Sequence, residues 1–138
     1  MTDGPPGTPL VRKLGVKEGH RVALVHAPDG WSVPALPSGA SVEGAVDRPR
    51  FDVVVAFFGQ LHQVQDEVPS LTAALAPDGA LWAAWPRRAA GHRSDITDTA
   101  VRSVALPLGL VDVKVAALGE DWSGLKLVWR KELRHLHT

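Results

Sequence analysis

Three short segments of the chain, 26–31, 85–88 and 120–124, carry the residue types that most readily bind a small ligand. Arginine presents paired donors that match a carboxylate or a phosphate, and tryptophan presents a large apolar ring. Polar and aromatic side chains stand close together in each segment. We therefore predict a binding site for a small anionic ligand, formed by His26, Asp29, Gly30, Trp31, Trp85, Arg87, Arg88, Asp121, Trp122 and Ser123.

Each segment also has a purely structural interpretation. Trp85 ends an apolar run, which is typical of a core residue, and Trp31 equally fits a cap over an open sheet. Arg87 and Arg88 also fit a solvated loop, and residues 121–124 fit a tight turn anchored by one ring. The sequence alone leaves both interpretations open.

The histidines are the residues best suited to proton transfer, since their pKa lies near neutrality. His26 is the strongest candidate, but no serine or acid adjoins it to suggest a nucleophilic triad. His135 and His137 share one face of an extended tail without a third ligand, which favours a frayed C-terminus over a metal site. We therefore predict no catalytic residue and no metal site.

Three valine- and alanine-rich runs, 22–25, 53–58 and 80–85, predict the strands that position these segments. The runs do not alternate with polar residues, so both faces are buried, as in parallel strands. Helical spacing predicts a helix over 60–76, which Pro69 splits in two and Asp78-Gly79 ends. A second helix is predicted from Ser94 or Asp95 to residue 105, closed by Pro107 and Gly109.

The end of the chain predicts an antiparallel hairpin, with strands over 110–118 and 125–131. The proline-rich segment 27–50 accommodates at most a turn or two of helix at 31–36 and a short strand at 41–46. Together these elements predict an α/β fold, a mixed sheet of about six strands, mostly parallel, with helices on its faces. Carboxyl ends of parallel strands share one sheet edge, which gathers the candidate residues.

Composition limits the classes of function. The 138 residues, 45% of them hydrophobic, suit one domain, which we place at 10–133 between tails at 1–9 and 134–138. A formal net charge of zero gives no global attraction to nucleic acid, and no apolar run is long enough for a membrane span. The lack of cysteine fits a reducing compartment. We therefore expect a cytoplasmic protein that binds neither nucleic acid nor membranes.

Several segments resemble class I S-adenosylmethionine-dependent methyltransferases. Residues 14–22 resemble the lead into the first strand of that family, 51–55 its fourth strand, and 75–81 its turn from helix to fifth strand. The terminal hairpin resembles its last two strands. The whole chain also resembles short actinobacterial proteins of unassigned function, through 85–88 and 121–130. The resemblance implies a truncated Rossmann-like, methyltransferase-like fold, with S-adenosylmethionine as the possible cofactor.

The first turn departs from the family pattern. The family follows its first strand with a glycine-rich turn, whereas this chain retains Gly30 beside Pro28 and Trp31. The family's ribose-binding acid has only Glu43 and Asp47 as candidates. We therefore expect a non-catalytic domain that binds a small anionic ligand or a protein partner, rather than an active methyltransferase. The alternatives are a minimal methyltransferase and a homodimer that pairs through an edge strand at 125–130 or 41–46.

Overall fold

The computed structural model describes residues 8–44, 46 and 50–137. A six-stranded sheet forms its centre, in the order β2-β1-β3-β4-β6-β5. The strands are β1 (Arg21–Val25), β2 (Ser41–Glu43), β3 (Phe51–Phe57), β4 (Leu75–Pro86), β5 (Leu110–Ala117) and β6 (Trp122–Trp129). The helices are α1 (Leu10–Leu14), α2 (Leu61–Ala73) and α3 (Asp98–Ala105), with 3-10 turns at Arg88–Ala90, Leu106–Leu108 and Lys131–His137.

Strand direction confirms the predicted mixed sheet. β1 pairs in parallel with β2 and β3, and β3 pairs in parallel with β4. β6 runs antiparallel to both β4 and β5, so β5 points the same way as the first four strands. The turn from β5 to β6 therefore lies at the carboxyl edge of the parallel strands, as the sequence predicts.

The two faces of the sheet are covered differently. One face buries Phe51, Leu81 and Trp85 beneath residues of α2 and α3. The other face buries Val55 and Trp82 beneath residues of α1 and the loop after β1. This thinner cover follows from the segment 26–40, where the structure has no helix at the predicted 31–36. The prolines of this segment remove backbone donors, which disfavours a helix.

Helix α2 continues through Pro69, so the predicted split is wrong. Pro69 has no N–H to donate to the carbonyl group of Gln65, four residues earlier. Both residues are exposed, so water can bind this carbonyl group instead. Val64, Val68 and Leu71 pack into the core on both sides of Pro69 and hold the helix together. The predicted turn after the helix lies instead within β4, as a bulge between the pairs Phe51–Leu75 and Val53–Ala80.

Helix α3 begins three to four residues after the predicted start. Thr97 is its N-cap, and its hydroxyl accepts a hydrogen bond from the Ala100 backbone N–H at 3.1 Å. Asp95 instead accepts from the backbone N–H of Leu61 at 2.9 Å, so it caps α2. Pro107 and Gly109 follow α3 in a 3-10 turn, as predicted.

The hairpin is confirmed, but its second strand is internal. β6 begins at Trp122 rather than residue 125 and lies between β4 and β5. A homodimer can therefore not pair through 125–130, and the outer strands of the described sheet are β2 and β5. The last described residues form a 3-10 helix instead of an extended tail. Asp47 lies outside the described residues, and within them no helix has the length and hydrophobicity for a membrane span.

Candidate functional site

Among the described residues, the candidate site residues at the carboxyl edge of the sheet line two separate cavities. The first, which we call the arginine cavity, has a volume of about 440 Å³ and contains Trp85, Arg87, Arg88 and Ser123 among its lining residues. The second, the tryptophan cavity, has a volume of about 270 Å³. Its lining includes Asp29, Gly30, Trp31, Asp121 and Trp122. His26 lines neither of them.

The hairpin separates the two cavities. Trp122 and Ser123 are neighbours on β6, and successive side chains of a strand point to opposite faces. Trp122 therefore lines one cavity and Ser123 the other. The backbone N–H of Arg87 donates to the Asp121 carbonyl at 2.8 Å and fixes the loop after β4 against the hairpin.

Both arginines of the arginine cavity keep most of their donors available. Arg87 Nη1 donates to the Glu120 carbonyl at 3.3 Å, and Arg88 Nη2 donates to the Ser94 carbonyl at 3.5 Å. Each guanidinium group has five N–H donors, so these single contacts leave several unused. In the described part of the chain, no carboxylate forms an ion pair with either arginine. The pair can therefore bind an external carboxylate or phosphate.

The start of α3 completes the arginine cavity with Thr97 and Asp98, which the sequence analysis missed. A threonine and an aspartate before an amphipathic stretch are a usable N-cap signal. The Asp98 carboxylate lies 3.1 Å from Arg102 Nη1, on its own helix. Asp98 is the one acid among the residues that line this cavity. Its charge is already paired with Arg102, which does not line the cavity.

Arg102 also anchors α3 to β5. Its Nε donates to Asp112 Oδ2 at 2.7 Å. This hydrogen bond raises the pKa of Arg102 and lowers the pKa of the Asp112 carboxyl group below its ordinary value. Both side chains are therefore charged over the physiological range, and the ion pair holds α3 against β5.

Aromatic packing and acidic charge dominate the tryptophan cavity. The rings of Trp31 and Trp122 lie edge-on to Phe57, with centroid distances of 4.7 and 5.0 Å. Trp31 Nε1 donates to the Leu118 carbonyl at 3.3 Å. The charged residues of the lining are all acids, which repel an anion; they are Asp29, Glu120 and Asp121. The residues of the tryptophan cavity that were predicted to bind an anion therefore lie in a negative electrostatic potential, which disfavours anion binding.

His26 lies at the end of β1 with an unusual backbone. Its φ is 58°, a conformation that non-glycine residues rarely adopt. Its Nε2 lies 2.6 Å from Glu67 Oε1 on α2, and the imidazole is 55% exposed. The sequence analysis did not single out Glu67, since 41 residues separate the two. The pair forms a His–Glu dyad outside both cavities.

The residues near β1 fit only in part the cofactor site that the family resemblance implies. Gly30 has a φ of 79°, a backbone conformation that favours glycine, and a Cβ placed on it meets nothing within 4 Å. Glu43 is bound by Arg21 through two hydrogen bonds of 3.0 and 3.1 Å. It is the last residue of β2 and pairs with Ala23, two residues before β1 ends. No helix N-terminus follows β1 within the fully described segment 26–40.

The sequence matches no protein-family model and no curated protein. Solved structures nevertheless share its fold. TrmN from Thermus thermophilus matches with a TM-score of 0.58 and 15% identity, over 88% of this chain and 47% of that one. A SAM-dependent methyltransferase from Aquifex aeolicus matches with a TM-score of 0.54 and 12% identity, over 86% of each chain. The fibrillarin pre-rRNA processing protein of Methanococcus jannaschii matches with a TM-score of 0.56 and 11% identity, over 87% of this chain and 73% of that one.

The chain spans about half the length of the TrmN structure. At these identities the likeness extends to the fold and carries no activity with it. The sheet order and these neighbours together establish a Rossmann-like α/β fold of the methyltransferase type.

Proposed function

We propose that the domain binds a small molecule with a carboxylate or phosphate group in the arginine cavity. The observation that carries the proposal is the position of Arg87 and Arg88, which line the same cavity and form no ion pair with any carboxylate of the described residues. Arginine stays protonated at any physiological pH, so the positive charge of the pair does not depend on conditions. The N-terminus of α3 adds a weak positive potential at the same cavity.

The free energy that the two arginines can contribute to binding indicates what else the ligand must contain. A hydrogen bond to a charged group contributes about 1.5–3 kcal/mol, so one such bond to each arginine contributes about 3–6 kcal/mol. Micromolar affinity requires about 8 kcal/mol. The remainder must come from apolar contact, for which Trp85 and Ala89 are available in the lining. We therefore propose a ligand with an anionic head group and an apolar or aromatic body.

Calorimetric titration with phenyl phosphate tests the proposal, because this probe carries a dianionic head and an aromatic ring. The R87Q/R88Q variant should bind at least about tenfold more weakly, equivalent to 1.4 kcal/mol. Arg93 is an exposed arginine near the cavity that does not line it, so R93Q is the matched control and should bind as the wild type does. Equal affinity in all three proteins, or no heat with the wild type, would refute the proposal.

We further propose that the domain does not transfer methyl groups and acts in the cytoplasm. The supporting observations are the lack of a helix start after β1 in the described segment 26–40 and the ion pair between Arg21 and Glu43. The lack of cysteine fits the reducing cytoplasm. A minimal methyltransferase is the second candidate, favoured by the shared fold of the SAM-dependent enzyme from Aquifex aeolicus. Transfer of a labelled methyl group from S-adenosylmethionine to any fraction of a cell extract would favour this candidate.

A further inference from the structure

A third cavity lies at the opposite edge of the sheet, near the amino ends of β1 and β3. Its volume is about 240 Å³. Charged and polar side chains from separate elements meet there, namely Lys17, His20, Asp52, Asp78 and Lys126. The proposed anion site lies at the other edge, so this cavity has no part in it.

Lys126 is the half-buried cation of this cavity. It stands on β6, opposite Trp82 of β4 and Lys114 of β5. Its Nζ lies 3.4 Å from the position of a Cβ on Gly15, so the glycine gives the amine room beside the backbone. Within the described ranges, no carboxylate lies within ion-pair distance of this amine. Burial lowers the pKa of Lys126, and the positive charges of Lys114 and Lys17 lower it further.

Groups that can move a proton line the same cavity. His20 Nδ1 accepts a hydrogen bond from the Lys17 backbone N–H at 3.1 Å, so the neutral ring carries its hydrogen on Nε2. Asp52 Oδ2 accepts from the Arg21 backbone N–H at 2.8 Å, which leaves its second oxygen for other contacts. Asp78 is exposed at the cavity rim. Imine chemistry uses an amine that shares a cavity with groups able to give and take a proton, and Lys126 shares this cavity with His20 and Asp52.

We propose that Lys126 is a covalent anchor for a small 2-oxo acid in this cavity. The neutral amine adds to the ketone carbon, the new C–N bond forms, and a proton passes from nitrogen to oxygen to give the carbinolamine. The C–O bond then breaks as the hydroxyl group takes up a proton and leaves as water. The product is the protonated imine, and nothing is oxidised or reduced.

The charges around Lys126 select an acid rather than a neutral carbonyl compound. Lys17 lines the cavity together with Lys126, and Lys114 lies opposite Lys126 on β5, so both cations attract a carboxylate on the incoming molecule. Of the two carboxylates in the lining, Asp52 accepts a hydrogen bond from the Arg21 backbone N–H, and Asp78 is exposed to solvent, which screens its charge. A volume of about 240 Å³ admits a molecule of a few carbon atoms.

Reductive trapping with pyruvate and cyanoborohydride at neutral pH tests this inference on the full chain. Mass spectrometry of a chymotryptic digest compares labelling at Lys126 with labelling at Lys131, an exposed lysine that serves as the internal control. Each unit by which a lysine pKa falls raises its neutral fraction about tenfold, so we expect Lys126 to label at least about threefold faster than Lys131. The ratio should fall to about one in urea, where the cavity is lost.

Three comparisons make the result decisive. K126R should abolish labelling at this site, with an unchanged circular dichroism spectrum as evidence of folding. R87Q/R88Q should label as the wild type does, which separates this cavity from the proposed anion site. The neutral aldehyde propanal should give a lower ratio of Lys126 to Lys131 than pyruvate. Equal labelling of the two lysines in the folded protein, or an equal ratio with propanal, would overturn the inference.

Discussion

Replacement of Trp31 by alanine should destabilise the protein by about 3 kcal/mol if the role of this residue is to pack over the sheet and not to bind a ligand. Its edge-on contact with Phe57, at 4.7 Å, contributes about 1 kcal/mol. Its hydrogen bond to the Leu118 carbonyl contributes about 1 kcal/mol. The half-buried ring adds about 1 kcal/mol through removal of apolar surface from water.

Urea unfolding followed by far-UV circular dichroism measures this loss directly. W31F is the matched control, since it keeps an aromatic ring against Phe57 and loses the indole N–H. We expect W31F to lose about 1 kcal/mol, which is the share of the hydrogen bond. A loss below about 0.5 kcal/mol in W31A, the range of ordinary surface substitutions, would refute the structural role of Trp31.

Two further predictions concern packing and charge. G124A should lower the free energy of unfolding by about 1–3 kcal/mol, because a Cβ there lies 2.6 Å from Leu118 Cδ1; stability equal to the wild type would contradict the packing. D112N should lose about 1 kcal/mol at pH 7 through the broken contact with Arg102. The folded-state pKa of Asp112 is lowered, so its stabilisation is present above the unfolded pKa and is lost as the pH falls through the folded value. The difference between wild type and D112N in urea unfolding should therefore vanish in acid, and a difference independent of pH would contradict it.

Much of the fold could be predicted because the signals are local. Continuous apolar runs such as 53–55 must be buried on both faces, which fixes parallel strands in the middle of a sheet. The start of α3 could not be predicted in this way. Asp95 is a good N-cap residue, but it caps α2, and 34 residues separate it from its partner Leu61. Local propensity carries no information about contacts of that range.

The candidate site shows the same division. Strand direction predicts that the three segments reach one edge, and the structure places them there. Their separation into two cavities arises because β6 begins at Trp122. Trp122 and Ser123 are then both in the strand, and their side chains point to opposite faces of the sheet. The pairing of His26 with Glu67 depends on how α2 packs beside β1. Neither feature has a signal in the sequence near these residues.

Mapping of amide chemical shifts on one labelled sample tests the account most directly. Phenyl phosphate and S-adenosylhomocysteine, the product that S-adenosylmethionine leaves after methyl transfer, are titrated separately. The account predicts saturable shifts for residues 87–89 and 97–98 with phenyl phosphate, and no shifts at 26–31 with S-adenosylhomocysteine. Saturable shifts at 26–31 with S-adenosylhomocysteine, and none around Arg87 and Arg88 with phenyl phosphate, would contradict the proposed function and restore the methyltransferase interpretation.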